Sequence, residues 1–264
     1  MNLAERLAVC SWSLQPSDAA DLRRQLDAVD IRRVQMHLDP FAEDGWDVGG
    51  LDGIECVSGM VTCVGEDYST IAAIHRTGGV VSDETWPATR ERMAACAPIA
   101  GQLGIELVTF HAGFIPEDPA VPLFGKLLDR IGEVTQLFGE HGCRIALETG
   151  QESADTLMGF LDKLGADVRV NFDPANMLLY GSGDPIAALK QLRPRIAQVH
   201  LKDAIPSGTT GEWGTEVPVG EGKVDWAAFF AELSDYQGAL PIEREAGVKR
   251  VEDIRTAAAF VRNL

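Results

Sequence analysis

The chain has 264 residues, 45% of them hydrophobic and 24% charged, an ordinary globular composition with enough length for one α/β barrel or two small domains. Its formal net charge of −17 argues against a nucleic-acid partner, because phosphate binding needs a basic face. No run approaches the roughly 18 apolar residues of a membrane span, and MNLAERLAVCSW carries charges where a secretory signal needs an apolar core. The expected location is therefore the cytoplasm, and the five scattered cysteines, Cys10, Cys56, Cys63, Cys96 and Cys143, read as free, mostly buried thiols.

In chain order, short β-branched runs alternate with helical patterns. A strand over 7–14 (LAVCSWSL) precedes a helix over 18–29, and a second strand over 33–38 (RVQMHL) leads into DPFAEDGWDVGGLDG, which has room for a single turn of helix. A third strand over 58–65 is followed by a long connection and a helix over about 86–103. The fourth (106–113), fifth (144–150) and sixth (168–176) strands are separated by helices over 123–141 and 153–164. A helix over 184–192 precedes the seventh strand, IAQVHLKDA (196–204), and one over 225–236 precedes the eighth, ALPIEREAG (239–247). The last helix covers 251–262, and Ser153, Asp184-Pro185 and Asp225 act as start signals for theirs.

Eight strands with helical crossovers imply a parallel sheet closed into a (β/α)₈ TIM barrel, one domain over 1–264. An open doubly wound sheet is the alternative, but no GxGxxG follows the first strand. Long connections follow the third and seventh strands, on the face where barrels carry their active sites.

Each of the last four strands ends in a metal-ligand type: Glu148 in ALETG, Asp173 in VNFDPAN, His200 in QVHLKD and Glu243 in PIEREAG. In a barrel these side chains converge on one mouth. Three carboxylates packed together without a cation would repel one another. An oxygen-rich set with one imidazole suits a hard or borderline ion such as Mn²⁺, Mg²⁺ or Co²⁺; a closed Zn²⁺ site would want sulfur or more histidine.

Lys202, just beyond His200, is placed to stabilise a developing oxyanion. Asp203 could orient a ligand or Lys202, but reads better as a structural hydrogen-bonding group. His111 in VTFHAGF is a candidate for a substrate hydroxyl, Trp12 for the floor of a sugar site, and Trp213 for a lid residue over the substrate. His37 is weaker, Glu66 and Asp67 suit a solvated turn, His75 and His141 suit the surface, and Arg244 suits a structural ion pair.

The motifs LET (147–149), NFDPAN (171–176), VHLKD (199–203), GEGKVDW (220–226) and IERE (242–245) give the whole chain a resemblance to the xylose isomerase-like TIM-barrel superfamily of sugar isomerases and epimerases. The resemblance implies Glu148, Asp173, His200 and Glu243 as metal ligands. It also implies Glu148 and Glu243 as proton carriers in a divalent-metal-dependent isomerase or epimerase working through a metal-bound enediolate. Mn²⁺ is the implied metal, with Mg²⁺, Co²⁺ or Zn²⁺ as alternatives, and the implied partner is a small sugar or polyol-ketone. Members are often dimers or tetramers, which leaves a homo-oligomer open.

Two positions depart from the ketose 3-epimerase pattern. Asn176 stands where those proteins usually have histidine, leaving it to orient a hydroxyl, and Pro206 stands where they tend to have arginine. A lyase or dehydratase acting on an inosose or 3-keto sugar is the alternative reading; a non-catalytic sugar-binding barrel and an abasic-site endonuclease are more remote. No Gly-rich phosphate loop or basic cluster supports a phosphorylated substrate.

Overall fold

The computed structural model describes residues 3–263. Eight parallel strands form a (β/α)₈ TIM barrel: β1 Leu7–Cys10, β2 Arg33–His37, β3 Glu55–Met60, β4 Leu107–Phe110, β5 Arg144–Glu148, β6 Arg169–Phe172, β7 Ile196–Val199 and, after a small hairpin, β10 Leu240–Ile242. β1 pairs with both β2 and β10. The seam between β7 and β10 is closed just beyond β7, where Leu201 N–H donates to Pro241 O and Glu243 N–H to Leu201 O.

The strands form where they do because a sheet covered on its outer side by helices must be apolar on that side. Val9, Val34, Val108, Ile145, Val170 and Val199 are fully buried, as are Phe138, Phe160 and Phe229 from the surrounding helices. Helices Ala19–Val29, Ala154–Leu164, Pro185–Leu192 and Trp226–Glu232 begin at Asp18, Ser153, Asp184 and Asp225, each of which accepts a backbone N–H from the first turn.

The inward side of the strands is not apolar throughout. Gln35, Ser58, Thr109, Asn171 and Gln198 are all buried in the barrel interior and bonded to one another across it. This polar layer lies directly beneath the mouth.

The strand ends differ from the sequence expectation where the chain turns to build the site. β1 stops at Cys10 and the next residues, Ser11–Leu14, form one helical turn. β6 stops at Phe172, because Asp173 caps a helix over Pro174–Tyr180 with proline at its first position. The long connection after β3 contains a helix, Ile71–Thr77, so His75 lies on a helix rather than in a loop, though it is exposed as expected. In the connection after β7, Asp203–Ile205 (β8) pairs antiparallel with Thr215–Val217 (β9). All five cysteines are free, and only Cys56 is not fully buried.

Candidate active site and metal centre

Strand alternation sets the site. Along an extended strand every second side chain points to the same face, so Gln198, His200 and Lys202 form a column rising from the barrel centre to its mouth. Asn171 and Asp173 form a second column, and Glu243 and Glu245 a third. At the middle level, ligand atoms of Glu148, Asp173, His200 and Glu243 all lie within 4.8 Å of one another, and all four residues are buried.

His200 Nδ1 lies at the centre, 3.5 Å from Glu148 Oε1, 3.5 Å from Asp173 Oδ2 and 3.3 Å from Glu243 Oε2. Among the described residues, neither His200 Nδ1 nor Asp173 Oδ2 has a hydrogen-bond partner, although both are buried. Orphaned buried polar atoms are costly. Two that face each other among three carboxylates fit a divalent cation, and the oxygen-rich donor set suits a hard or borderline ion.

The tautomer of His200 follows from the polar layer below. Gln35 donates its amide N–H to Thr109 Oγ1 at 2.8 Å, and its Oε1 accepts from Gln198 Nε2 at 2.9 Å. That orientation leaves Oε1 facing His200 Nε2 at 2.7 Å, so Nε2 carries the proton. Nδ1 is then the nitrogen aimed at the carboxylates; against burial, these hold the imidazole well above its ordinary pKa, and a cation bound there would take the place of the Nδ1 proton.

Each carboxylate is held on more than one side. Glu148 accepts from Asn171 Nδ2 at 3.1 Å and from Asn176 Nδ2 at 2.9 Å. Asp173 Oδ1 accepts the backbone N–H groups of Ala175 and Asn176, leaving Oδ2 free. Glu243 Oε1 accepts from Trp12 Nε1 at 2.7 Å, and its Oε2 lies 2.9 Å from Lys202 Nζ.

Burial pushes the Asp173 carboxyl up, and Lys202 and His200 offset this only in part. At Glu243 burial acts in the same direction, but Lys202 and His200 outweigh it and hold the carboxyl well below its ordinary range.

Lys202 is itself buried. Its ammonium contacts Glu243, Glu245 at 2.6 Å and the Asn176 carbonyl oxygen at 3.2 Å. Burial alone would lower its pKa; Glu243, Glu245 and Asp173 outweigh burial and raise it, so the group stays charged. Asp203 does not orient Lys202. It accepts N–H groups from Ala204, Gly220, Gly222, Val224 and the Trp226 indole, tying down GEGKVDW. A side chain at Gly222 would place its Cβ 2.0 Å from Asp203 Oδ1, so that turn requires glycine.

A cavity of about 350 Å³ opens above Lys202, lined by Tyr68, His111, Asn176, Tyr180, Trp213 and Glu245 among others. His111 Nε2 lies 3.7 Å from Glu148 Oε1, and Trp213 packs on Tyr180 with ring centres 4.7 Å apart. Gly214 N–H donates to Leu179 O, which anchors the hairpin loop beside Tyr180.

His37 pairs with Asp39, and Arg244 pairs with Glu216 and Asp253. Glu66 is half-buried rather than solvated, accepting the Gly79 N–H at 2.8 Å, while Asp67 is exposed. Gln35, Asn171, Gln198 and Glu245 join the site without being candidates from sequence. Their signal was a polar residue two positions from a ligand candidate, or from His37, in otherwise apolar strands.

The family model of the xylose isomerase-like TIM barrel matches residues 11–264, and the chain belongs to that family. The xylose isomerase domain protein from Planctomyces limnophilus is similar at 29% identity and a TM-score of 0.87, over 98% of this chain and 96% of that one. A xylose isomerase-like TIM-barrel protein from Mycobacterium smegmatis, in complex with magnesium, is 14% identical with a TM-score of 0.73, over 100% and 97% of the two chains. The 3-keto-D-glucoside 4-epimerase from E. coli is 13% identical with a TM-score of 0.72, over 98% and 99%. At these last two identities the likeness is one of fold. A comparison with curated proteins finds no match. Among the described residues, no helix is long and apolar enough to cross a membrane.

Proposed function

We propose that the protein is a divalent-metal-dependent isomerase or epimerase of a sugar or related polyol-ketone. The observation that carries this reading is the meeting of Glu148 and Glu243 on Nδ1 of His200. These carboxylates come from β5 and the end of β10, three strands apart around the mouth, so they reach the same point from different sides. Glu148, Asp173, His200 and Glu243 would hold the cation, with Mn²⁺ the best match and Mg²⁺, Co²⁺ or Zn²⁺ the alternatives. When bound, such an ion supplies Lewis-acid polarisation of a carbonyl, which lowers the cost of removing the adjacent proton.

The chain's own groups then divide the work. One of Glu148 and Glu243 takes the proton from the carbon beside the carbonyl, and the other returns it from the opposite side. Asn171 and Asn176 orient Glu148; Trp12 orients Glu243. Lys202, charged and close to Asn176, is placed to stabilise negative charge developing on a substrate oxygen. His111 and Asn176 bind hydroxyls, and Trp213 covers the cavity beside Tyr180.

Elimination on the same scaffold is the second reading. Asn176 cannot carry a proton, whereas His111, whose Nδ1 has no hydrogen-bond partner, is placed to donate one to a departing hydroxyl. A structural neighbour described as a probable 3-DHS dehydratase, at 15% identity, is consistent with that chemistry on this fold. Proton NMR of keto-sugars and inososes in D₂O with Mn²⁺ separates the two. Solvent deuterium in an intact carbon skeleton supports isomerisation, loss of water supports elimination, and neither exchange nor loss of water on any substrate of the panel, or full turnover that survives Glu243→Gln, contradicts both.

A further inference from the structure

The cavity above Lys202 is at the small end of the roughly 300–1,000 Å³ range of ligand pockets, and one of its walls is shared. Tyr180 lines both this cavity and a neighbouring cleft of about 640 Å³, whose lining includes Phe114, Gln151, Glu152 and Ser182. A continuous file of rings runs along the boundary. Trp213 and Tyr180 are 4.7 Å apart, Tyr180 and Phe114 5.8 Å, and Phe114 and His75 4.4 Å.

The polar groups of the cleft have a particular character. Gln151 is buried and donates Nε2 to the Tyr180 hydroxyl at 3.2 Å, while its Oε1 has no partner; neither has the hydroxyl of Ser182. Glu152, 9% exposed, is pushed up by burial to about 8, so it is a neutral hydrogen-bond donor at pH 7. Among the described residues, neither lysine nor arginine lines the cleft, and Glu117 stands at it, an arrangement that disfavours an anionic group. Ring faces flanked by uncharged amide, hydroxyl and carboxyl groups match a pyranose, which has apolar C–H faces and a hydroxyl edge.

We infer that this cleft is a subsite for a neutral glycosyl group, and that the substrate is therefore a keto-glycoside or keto-disaccharide whose reacting ring lies above Lys202 and whose second ring lies against Phe114 and Tyr180. The substrate assignment rests on the proposed function; the glycosyl subsite does not, because binding is measured without turnover. A groove on the Trp12 side, lined by Pro16, Arg23, Asp44 and Trp46 among others, is the competing location and provides the control.

Calorimetric titration of the Mn²⁺-loaded protein, and of Glu243→Gln, with D-glucose, maltose, cellobiose, trehalose and glucose 6-phosphate tests the subsite. At least one disaccharide is expected to bind tenfold or more tightly than glucose, with glucose 6-phosphate no tighter than glucose. Phe114→Ala should abolish that advantage and Trp46→Ala should keep it. Ser182→Ala, which removes a buried hydroxyl with no partner among the described residues, should reduce it at least threefold. Equal binding of mono- and disaccharides, absence of disaccharide binding, tightest binding of the phosphate, or an advantage lost in Trp46→Ala but kept in Phe114→Ala would each overturn the proposal. Failure of the D₂O exchange with intact disaccharide binding would instead count against the reaction alone.

Discussion

Gln35 Oε1 accepts a hydrogen bond from His200 Nε2 at 2.7 Å, and this fixes which imidazole nitrogen faces the carboxylates. The amide on β2 therefore sets the state of a side chain just beyond β7. Gln35→Leu removes the acceptor that would hold the remaining His200 proton on Nε2 when a cation takes Nδ1. Outer-shell changes of this kind typically cost about 10–100-fold in metal affinity, and that loss is expected for Mn²⁺ by titration calorimetry. Gln35→Glu, which keeps an acceptor, should recover most of it. Equal Mn²⁺ affinity in Gln35→Leu and the native protein would show that the amide does not position His200.

Lys202 is a charged group held in place by Glu243, Glu245 and Asn176 rather than a metal-ligand type. Lys202→Met should therefore keep Mn²⁺ binding while lowering turnover by roughly 10²–10³-fold, the usual effect of losing one preorganised oxyanion donor. Loss of Mn²⁺ binding together with activity would assign Lys202 a structural role instead.

Asp203 satisfies four backbone N–H groups and the Trp226 indole from a fully buried position. Replacing it with alanine leaves several buried donors unpaired, so a loss on the order of 3–5 kcal/mol in urea unfolding is expected. A loss below about 1 kcal/mol would mean that water or backbone movement satisfies those donors.

Burial raises Glu152 from an ordinary 4.5 to about 8. Between those values the unfolded carboxyl is ionised and the folded one is protonated, so the folded state binds more protons and stability falls as pH rises through this window. The slope is at most about 1.4 kcal/mol per pH unit for one group, and it flattens above pH 8. Glu152→Gln removes this dependence, so its stability relative to the native protein should increase from pH 5 to pH 8 in thermal melts. The charge of His111 opposes burial and reduces the effect without reversing it. Parallel pH profiles for the two proteins would contradict the assignment.

The barrel was legible because parallel strands covered by helices are nearly continuous apolar runs, and those runs stop where ionisable groups begin. The convergence of Glu148, Asp173, His200 and Glu243 followed from that register. The polar layer was not legible, because Gln35, Asn171 and Gln198 sit inside runs that read as apolar overall; only their alternation with the ligand candidates marks them as inward-facing. The start of the helix over Pro174–Tyr180 lies within the run 168–176 that reads as the sixth strand, although Asp173-Pro174 is a helix start. The extra cleft depends on Phe114, Gln151 and Tyr180, far apart in sequence and joined only by packing.

The central claim is that one divalent cation binds where His200 Nδ1 meets three carboxylates. Asp173→Asn isolates it, because asparagine preserves the cap of the following helix while removing the charge of the unpartnered Oδ2. Calorimetric titration with Mn²⁺ should give one ion per native chain and at least a hundredfold weaker binding in Asp173→Asn, with both proteins equally folded by circular dichroism. No stoichiometric binding to the native protein, or equal affinity in the variant, would contradict the account.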